Sequence, residues 1–214
     1  MNRRKNLLKL RLTFVERLMR LERRLAATAN LVPADRDPLV AYTTIEALNA
    51  WSQFSKVFYL SCVINAKTEG KVVIQVTPPN MSRNDALGRA IRRYKPYANP
   101  NASGIWARRD EPPWHDPNVL MQVCLDVNCS IHLNIQAAFS MGQRVFSDLP
   151  VFRNFYSHRN RLSLVAAQNL APNYLLPSNI RPSEILLRSS PKSPNSLLVE
   201  WIAELRITAE FLCG

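Results

Sequence analysis

The chain has 214 residues, enough for one domain with an appendage or a long insertion, and enough to bury a core without disulfides or a structural metal. With 47% apolar and 21% charged residues, it is neither disordered as a whole nor fibrous. Its net charge of +12 comes from 28 basic against 16 acidic residues, and 21 of the basic ones are arginine, whose planar fork fits phosphate, so a polyanionic partner is expected. From Lys5 to about Asn30, Leu7, Leu10, Phe14, Leu18, Leu21 and Leu25 recur every three or four residues, which predicts an amphipathic helix ending before Pro33. Basic residues fill its other face, nine among the first 24 residues. Residues 1–30 are therefore expected to be a basic helix packed on a helical domain of residues 31–214. Asp37 as N-cap and Pro38 at the first helical position predict where the second helix starts. Ile45, Leu48, Trp51, Val57 and Phe58 form its apolar face, and it is expected to end near Asn65. The β-branched run 71–76 reads as an isolated strand or an extended connector. Asn84 then leads a basic helix through Arg89, Arg92 and Arg93, closed by Pro96.

Residues 96–116 hold Pro96, Pro100, Pro112 and Pro113 and read as a long loop, either functional or mobile. Asp116-Pro117 repeats the helix-start signal. One long helix is expected to follow, with Leu120, Val123, Val127, Ile131, Ile135, Ala138 and Val145 on one face. Ser147-Asp148-Leu149-Pro150 reads as the cap of the next helix, running to about Leu170. Residues 171–196 contain five prolines and read as a second long connector. Leu198, Trp201, Leu205, Ala209 and Leu212 predict a closing helix. The fold class is all-α: a bundle of about five or six helices with two long Pro-rich loops and no internal repeat.

Several chemistries are excluded by spacing. The five glycines never stand closer than 16 residues apart, so the chain has neither a Walker loop nor a dinucleotide fingerprint. Cys62, Cys124, Cys129 and Cys213 show no zinc spacing and sit among apolar neighbours, which suits inert buried thiols in a reducing cytoplasm. Lys9, Arg11 and Glu16 interrupt every early apolar run, so no signal peptide is expected, and no stretch approaches the ~20 apolar residues of a membrane span. No cofactor and no metal ligand set is predicted. His115 reads as a turn histidine beside a helix cap, and His132 as a structural or surface histidine in mid-helix.

His158 differs by its setting. Asn154 lies four residues earlier on the same helical face, and Arg153 five residues earlier, ~140° around the helix but with a long side chain. A histidine takes or gives a proton near neutral pH, and a guanidinium steadies the charge on a five-coordinate phosphorus. An amide orients either one. RNA transesterification needs this set: a group to deprotonate the 2′-hydroxyl, a group to protonate the departing 5′-oxygen, and a cation at the phosphate. Arg153, Asn154 and His158 are thus the candidate catalytic residues. Candidate RNA-binding residues are Arg159 and Arg161 beside them, Arg17, Arg20, Arg23 and Arg24 on the first helix, and Arg92 and Arg93 on the third.

The stretch from Arg153 to Asn160, Arg-Asn-Phe-Tyr-Ser-His-Arg-Asn, resembles the R-(polar)-x-x-x-H signature of the HEPN superfamily, all-helical domains that include metal-independent endoribonucleases. The stretch from Glu46 to Ser61 is similar to a helix of that family, and the resemblance extends over residues 38–170 and the last helix. It implies that the motif opens a late helix behind a long one, and that a homodimer places its active site across the two-fold axis. It also implies a cytoplasmic toxin or anti-phage effector acting on RNA (tRNA or mRNA), with an antitoxin or regulatory protein as a further partner and no membrane. The alternative is a catalytically inactive HEPN-like subunit that binds RNA or serves as a scaffold in a larger complex.

Overall fold

The structure, a computed structural model, describes residues 6–28, 30–189 and 194–214. The expected helix start at Lys5, the basic residues Arg3 and Arg4, and Pro191 of the second connector lie outside them. The described residues are all-helical: α1 (Leu7–Ala26), α2 (Pro33–Val63), α3 (Arg83–Tyr94), α4 (Pro117–Asp126), α5 (His132–Phe139), α6 (Val145–His158), α7 (Arg161–Gln168), α8 (Pro182–Leu187) and α9 (Leu197–Cys213). Two 3-10 turns, Arg108–Asp110 and Ala171–Tyr174, join them, and the extended pairing is limited to isolated bridges. Nine helices stand among the described residues where five or six were expected. Two expected long helices are each broken in two, and the second connector contains α8.

Each difference has a local cause. α2 starts at Pro33, a proline as compatible with a first helical position as Pro38, and Pro38 then lies inside the helix. The amides of Asp35 and Arg36 bond to Val32, so Asp37 caps nothing. The helix expected from Pro117 to Val145 stops at Asp126 because Asn128 turns left-handed, φ 45°, a conformation asparagine tolerates better than most residues. This break serves the run 71–76, which is an extended connector: Thr77 N–H donates to Val127 O at 2.7 Å and Ser130 N–H to Gln75 O at 2.9 Å. His132 therefore begins α5 rather than sitting in mid-helix. The helix expected at Ser147 starts at Val145, whose N–H donates to Glu204 at 3.2 Å, and Asp148 accepts instead from the Tyr174 hydroxyl.

The chain folds as two compact units that do not follow chain order. The first comprises Met1–Phe14, Trp51–Gly142 and Thr208–Gly214; the second comprises Val15–Ala50 and Gln143–Ile207. In the first unit Phe14, Trp51, Phe54 and Phe58 pack ring against ring, with Phe14 and Phe54 centroids 4.6 Å apart. The 96–116 loop is tied down. Trp114 is buried and donates to Glu111, Lys56 pairs with Glu111 at 2.6 Å, and Trp51 donates to the His115 carbonyl at 3.2 Å. Trp106 lies so close to Gly88 that a Cβ there would come within 2.6 Å of the indole, so α3 needs glycine at this contact. All four cysteines are buried and free. Burial pushes the Cys62 and Cys213 thiols up, as the inert-thiol expectation requires, but hydrogen bonds from Cys124 and Cys62 hold the Cys129 thiol well below its ordinary range, so that expectation does not extend to Cys129.

In the second unit, Phe152 of α6 packs on Trp201 of α9 with centroids 5.7 Å apart, and Tyr174 meets the same indole edge-on. α1 joins α2 through Arg17–Glu46 at 2.6 Å, and α9 through Glu22–Arg206 at 3.2 Å. Burial alone would raise Glu46, but the hydrogen bonds from Arg17 and Asn49 outweigh it and hold this carboxyl below its ordinary range. A depressed carboxyl contributes stability above its unfolded pKa of about 4.3 and loses it as pH falls through the lower folded value. Arg17→Gln should therefore flatten the acid limb of a melting-temperature profile below about pH 4.3 while costing at most about 1 kcal/mol at neutral pH. An acid limb identical to that of the unsubstituted protein would show that the pair contributes nothing.

Candidate functional site

Helix α6 carries the candidate catalytic residues because of how its apolar positions fall. Val145, Leu149, Phe152 and Tyr156 recur at helical spacing and are buried, leaving Arg153 half-buried and Asn154 and His158 exposed. The helix ends at His158. Arg159 turns left-handed (φ 46°, ψ 35°), its N–H still reaching Phe155 O at 2.7 Å, and Asn160 restarts the chain as the cap of α7, accepting from Ser163 N–H. The motif thus closes one helix, whereas the resemblance placed it at the opening of a late one.

Asn154 and His158 share one face, one turn apart, whereas Arg153 and His158 diverge by ~140° around the axis and ~7.5 Å along it. Among the described residues the side chains of Arg153, Asn154 and His158 make no hydrogen bond or ion pair, so this polar set is not consumed by packing. Arg159 and Arg161 flank it and are exposed. The helix corner between α6 and α7 therefore brings together five of the eleven candidate residues.

The other arginines divide by what they already hold. Arg20 is exposed and only 3.4 Å from Glu16, and Arg23 is exposed in the last turn of α1. Arg17 is bound to Glu46, and Arg24 lies over the Tyr42 ring and donates to its hydroxyl at 2.8 Å. In the first unit, Arg92 lies over Trp106 with 5.1 Å to the ring centroid, and Arg93 is held by Asp126 and Gln122. Arg17, Arg24, Arg92 and Arg93 are thus partly structural, a role that charge counting does not reveal.

Sequence reasoning missed a cleft of about 440 Å³ beside the motif. Phe155, Tyr156 and Arg159 from the end of α6 line it, with Asp37 from α2, Leu164 from α7 and Arg181 at the start of α8. Asp37 Oδ1 and the Tyr156 hydroxyl are buried without a hydrogen-bond partner. Burial, reinforced by nearby Asp37, pushes the Tyr156 phenol well above its usual range, so it stays protonated and able to donate. Arg181 is bound to Glu184 at 2.8 Å, while Arg159 has no acidic partner among the described residues. Phe155, Tyr156 and Arg159 lie inside the motif, and Arg159 is already a candidate RNA-binding residue; Asp37, Leu164 and Arg181 carry no signal that would join them to it.

Among the described residues no group of three or more His, Cys, Asp or Glu side chains could hold a metal ion, and no helix is long and apolar enough to cross a membrane. The chain matches no family model, no curated protein and no solved structure.

Proposed function

We propose that the chain is a metal-independent endoribonuclease of HEPN type that cleaves RNA by transesterification. The observation that carries this reading is the unengaged set on α6: an exposed histidine, an amide on its face, and a half-buried arginine five residues earlier. One histidine removes the 2′-hydroxyl proton as O2′ attacks phosphorus. The P–O5′ bond then breaks, and O5′ leaves with a proton. The products are a 2′,3′-cyclic phosphate and a 5′-hydroxyl. Arg153 holds the non-bridging oxygens, and Asn154 orients the imidazole or the phosphate. One chain offers one suitable histidine, and its arginine points to a different side of the helix. A second copy across a two-fold axis supplies the other proton-transfer group, which is the reason to propose a homodimer. A toxin or anti-phage role rests on the resemblance alone.

The direct test is purified protein with bulk tRNA or mRNA in EDTA, with product ends identified. Cleavage should persist and leave a 2′,3′-cyclic phosphate; a requirement for added divalent metal, or 3′-hydroxyl ends, would overturn the assignment. RNA binding without any cleavage would favour the scaffold reading instead. A second test uses the exposed pair on α1. Arg20→Gln with Arg23→Gln should weaken RNA binding regardless of sequence and reduce the salt-dependence slope by up to about two charges' worth. Single-turnover cleavage at saturating protein should be nearly unchanged. If binding does not move, α1 is a surface for protein rather than for RNA.

A further inference from the structure

In the first unit, the chain after α3 returns along that helix as a pinned strap. Asn84 donates to the Gly104 carbonyl at 3.0 Å. Trp106 packs against Gly88, with Arg92 lying over its ring. Lys95 donates to the Arg109 carbonyl at 2.6 Å and pairs with Asp110 at 3.1 Å. The contacts thus advance in step from one end of α3 to the other, over about 16 Å of helix axis. The bend of the strap is fixed as well, since the Asn101 side chain accepts from the N–H groups of Ser103 and Ile105.

What this helix and strap leave in solvent is positive charge and open aromatic surface. Residues 83–110 hold seven basic residues against two acidic ones. Arg89, Arg92, Arg108 and Arg109 are exposed and have no acidic partner among the described residues. Arg89 and Arg92 stand three residues apart on α3, and the Lys95 contacts bring Arg108 and Arg109 to its C-terminal end. Tyr97 is 95% exposed, in a turn closed by Ala98 N–H donating to Lys95 O at 3.0 Å, and Tyr94 is also exposed. A single exposed aromatic is ordinary; two beside four unneutralised guanidinium groups are a combination with a chemical use. The guanidinium forks match the phosphates of a polyanion, and a ring with open faces stacks on any base. A duplex keeps its bases inside, so only an unpaired strand engages both features. We propose that this face binds single-stranded RNA, with phosphates on Arg89, Arg92, Arg108 and Arg109 and a base stacked on Tyr97. The choice of RNA over DNA rests on the ribonuclease reading, to which the face adds a substrate class, unpaired RNA.

Binding is measured by anisotropy on the whole chain carrying His158→Ala, so that no strand is cut. The probes are labelled oligo-U, oligo-dU and an RNA duplex of the same length, with heparin, a polyanion without bases, as competitor. Tyr97→Ala should weaken oligo-U about fivefold or more, the loss of one stacked base, and leave the duplex and heparin unchanged. Arg89→Gln with Arg108→Gln should weaken every one of these polyanions and lower the salt-dependence slope by up to about two charges' worth. These side chains are exposed, and unchanged melting temperatures confirm that the variants fold. Absence of oligo-U binding, an oligo-U affinity unmoved by Tyr97→Ala, or an equal loss with duplex or heparin would overturn the proposal. Tighter Tyr97-dependent binding of oligo-dU than of oligo-U would make the face a DNA surface and overturn the choice of RNA. Tyr97-dependent oligo-U binding in a protein that fails the EDTA cleavage assay would overturn the ribonuclease reading alone.

Discussion

His158→Ala and Arg153→Ala are each expected to lower RNA cleavage by roughly 10²–10⁴-fold without changing the melting temperature. The magnitude is that of losing one proton-transfer group or one charge-stabilising donor at a reacting phosphate. The unchanged stability follows from their placement: His158 is exposed at the end of α6, Arg153 is half-buried, and neither makes a hydrogen bond or ion pair among the described residues. Asn154→Ala should cost less, because it orients rather than reacts. Mixing His158→Ala with Arg153→Ala subunits then tests the composite site. Because the two side chains diverge by ~140° on one helix, the proposed site pairs the Arg of one chain with the His of the other, so partial activity is expected in the mixture. Variants that cut at the original rate would remove the chemistry from α6. A strict monomer at micromolar concentration in sedimentation would remove the two-fold model.

Trp201→Ala is expected to cost about 3–5 kcal/mol and to abolish cleavage together with the fold of the second unit. Trp201 is 1% exposed, and its ring packs on Phe152, the residue preceding Arg153, and on Tyr174, whose hydroxyl reaches Asp148 of α6. Removing the indole leaves a cavity under the helix that carries the site. Denaturant titration and cleavage should therefore fail in parallel, in contrast to His158→Ala, where only activity falls. A Trp201→Ala protein with an unchanged midpoint would show that this contact does not hold α6.

Local signals identified several elements because their causes are local. The Leu7–Phe14–Leu18–Leu21–Leu25 stripe is buried in α1, and Asp116 caps α4 by accepting from Asn118 N–H at 2.8 Å. The same kind of signal misled at Asp37-Pro38, because Pro33 suits a first helical position as well as Pro38 does. Periodicity ran on through Val127 and Ile131 because Val127 and Cys129 are buried whether the backbone is helical or not. The left-handed turn at Asn128 lets Val127 and Ser130 pair with the backbone of Thr77 and Gln75, a long-range contact of which spacing along the chain carries no trace. Likewise nothing in Ser157-His158-Arg159-Asn160 resembles a glycine stop, yet the chain turns left-handed at Arg159.

The amino-acid sequence by itself determined the all-helical class, the arginine excess and the placement of Arg153, Asn154 and His158 on one helix, since composition and 3.6-residue spacing act within a few residues. Only the tertiary structure decided which arginines are already bound, as Arg17 is to Glu46 and Arg93 to Asp126. It alone decided that Asp37, Tyr156 and Arg181, from three separate segments, line one cleft. The physical reason is that hydrogen-bond satisfaction is settled by whichever groups packing brings together. A carboxylate read as a helix cap becomes an unpaired acceptor once the helix starts one turn earlier.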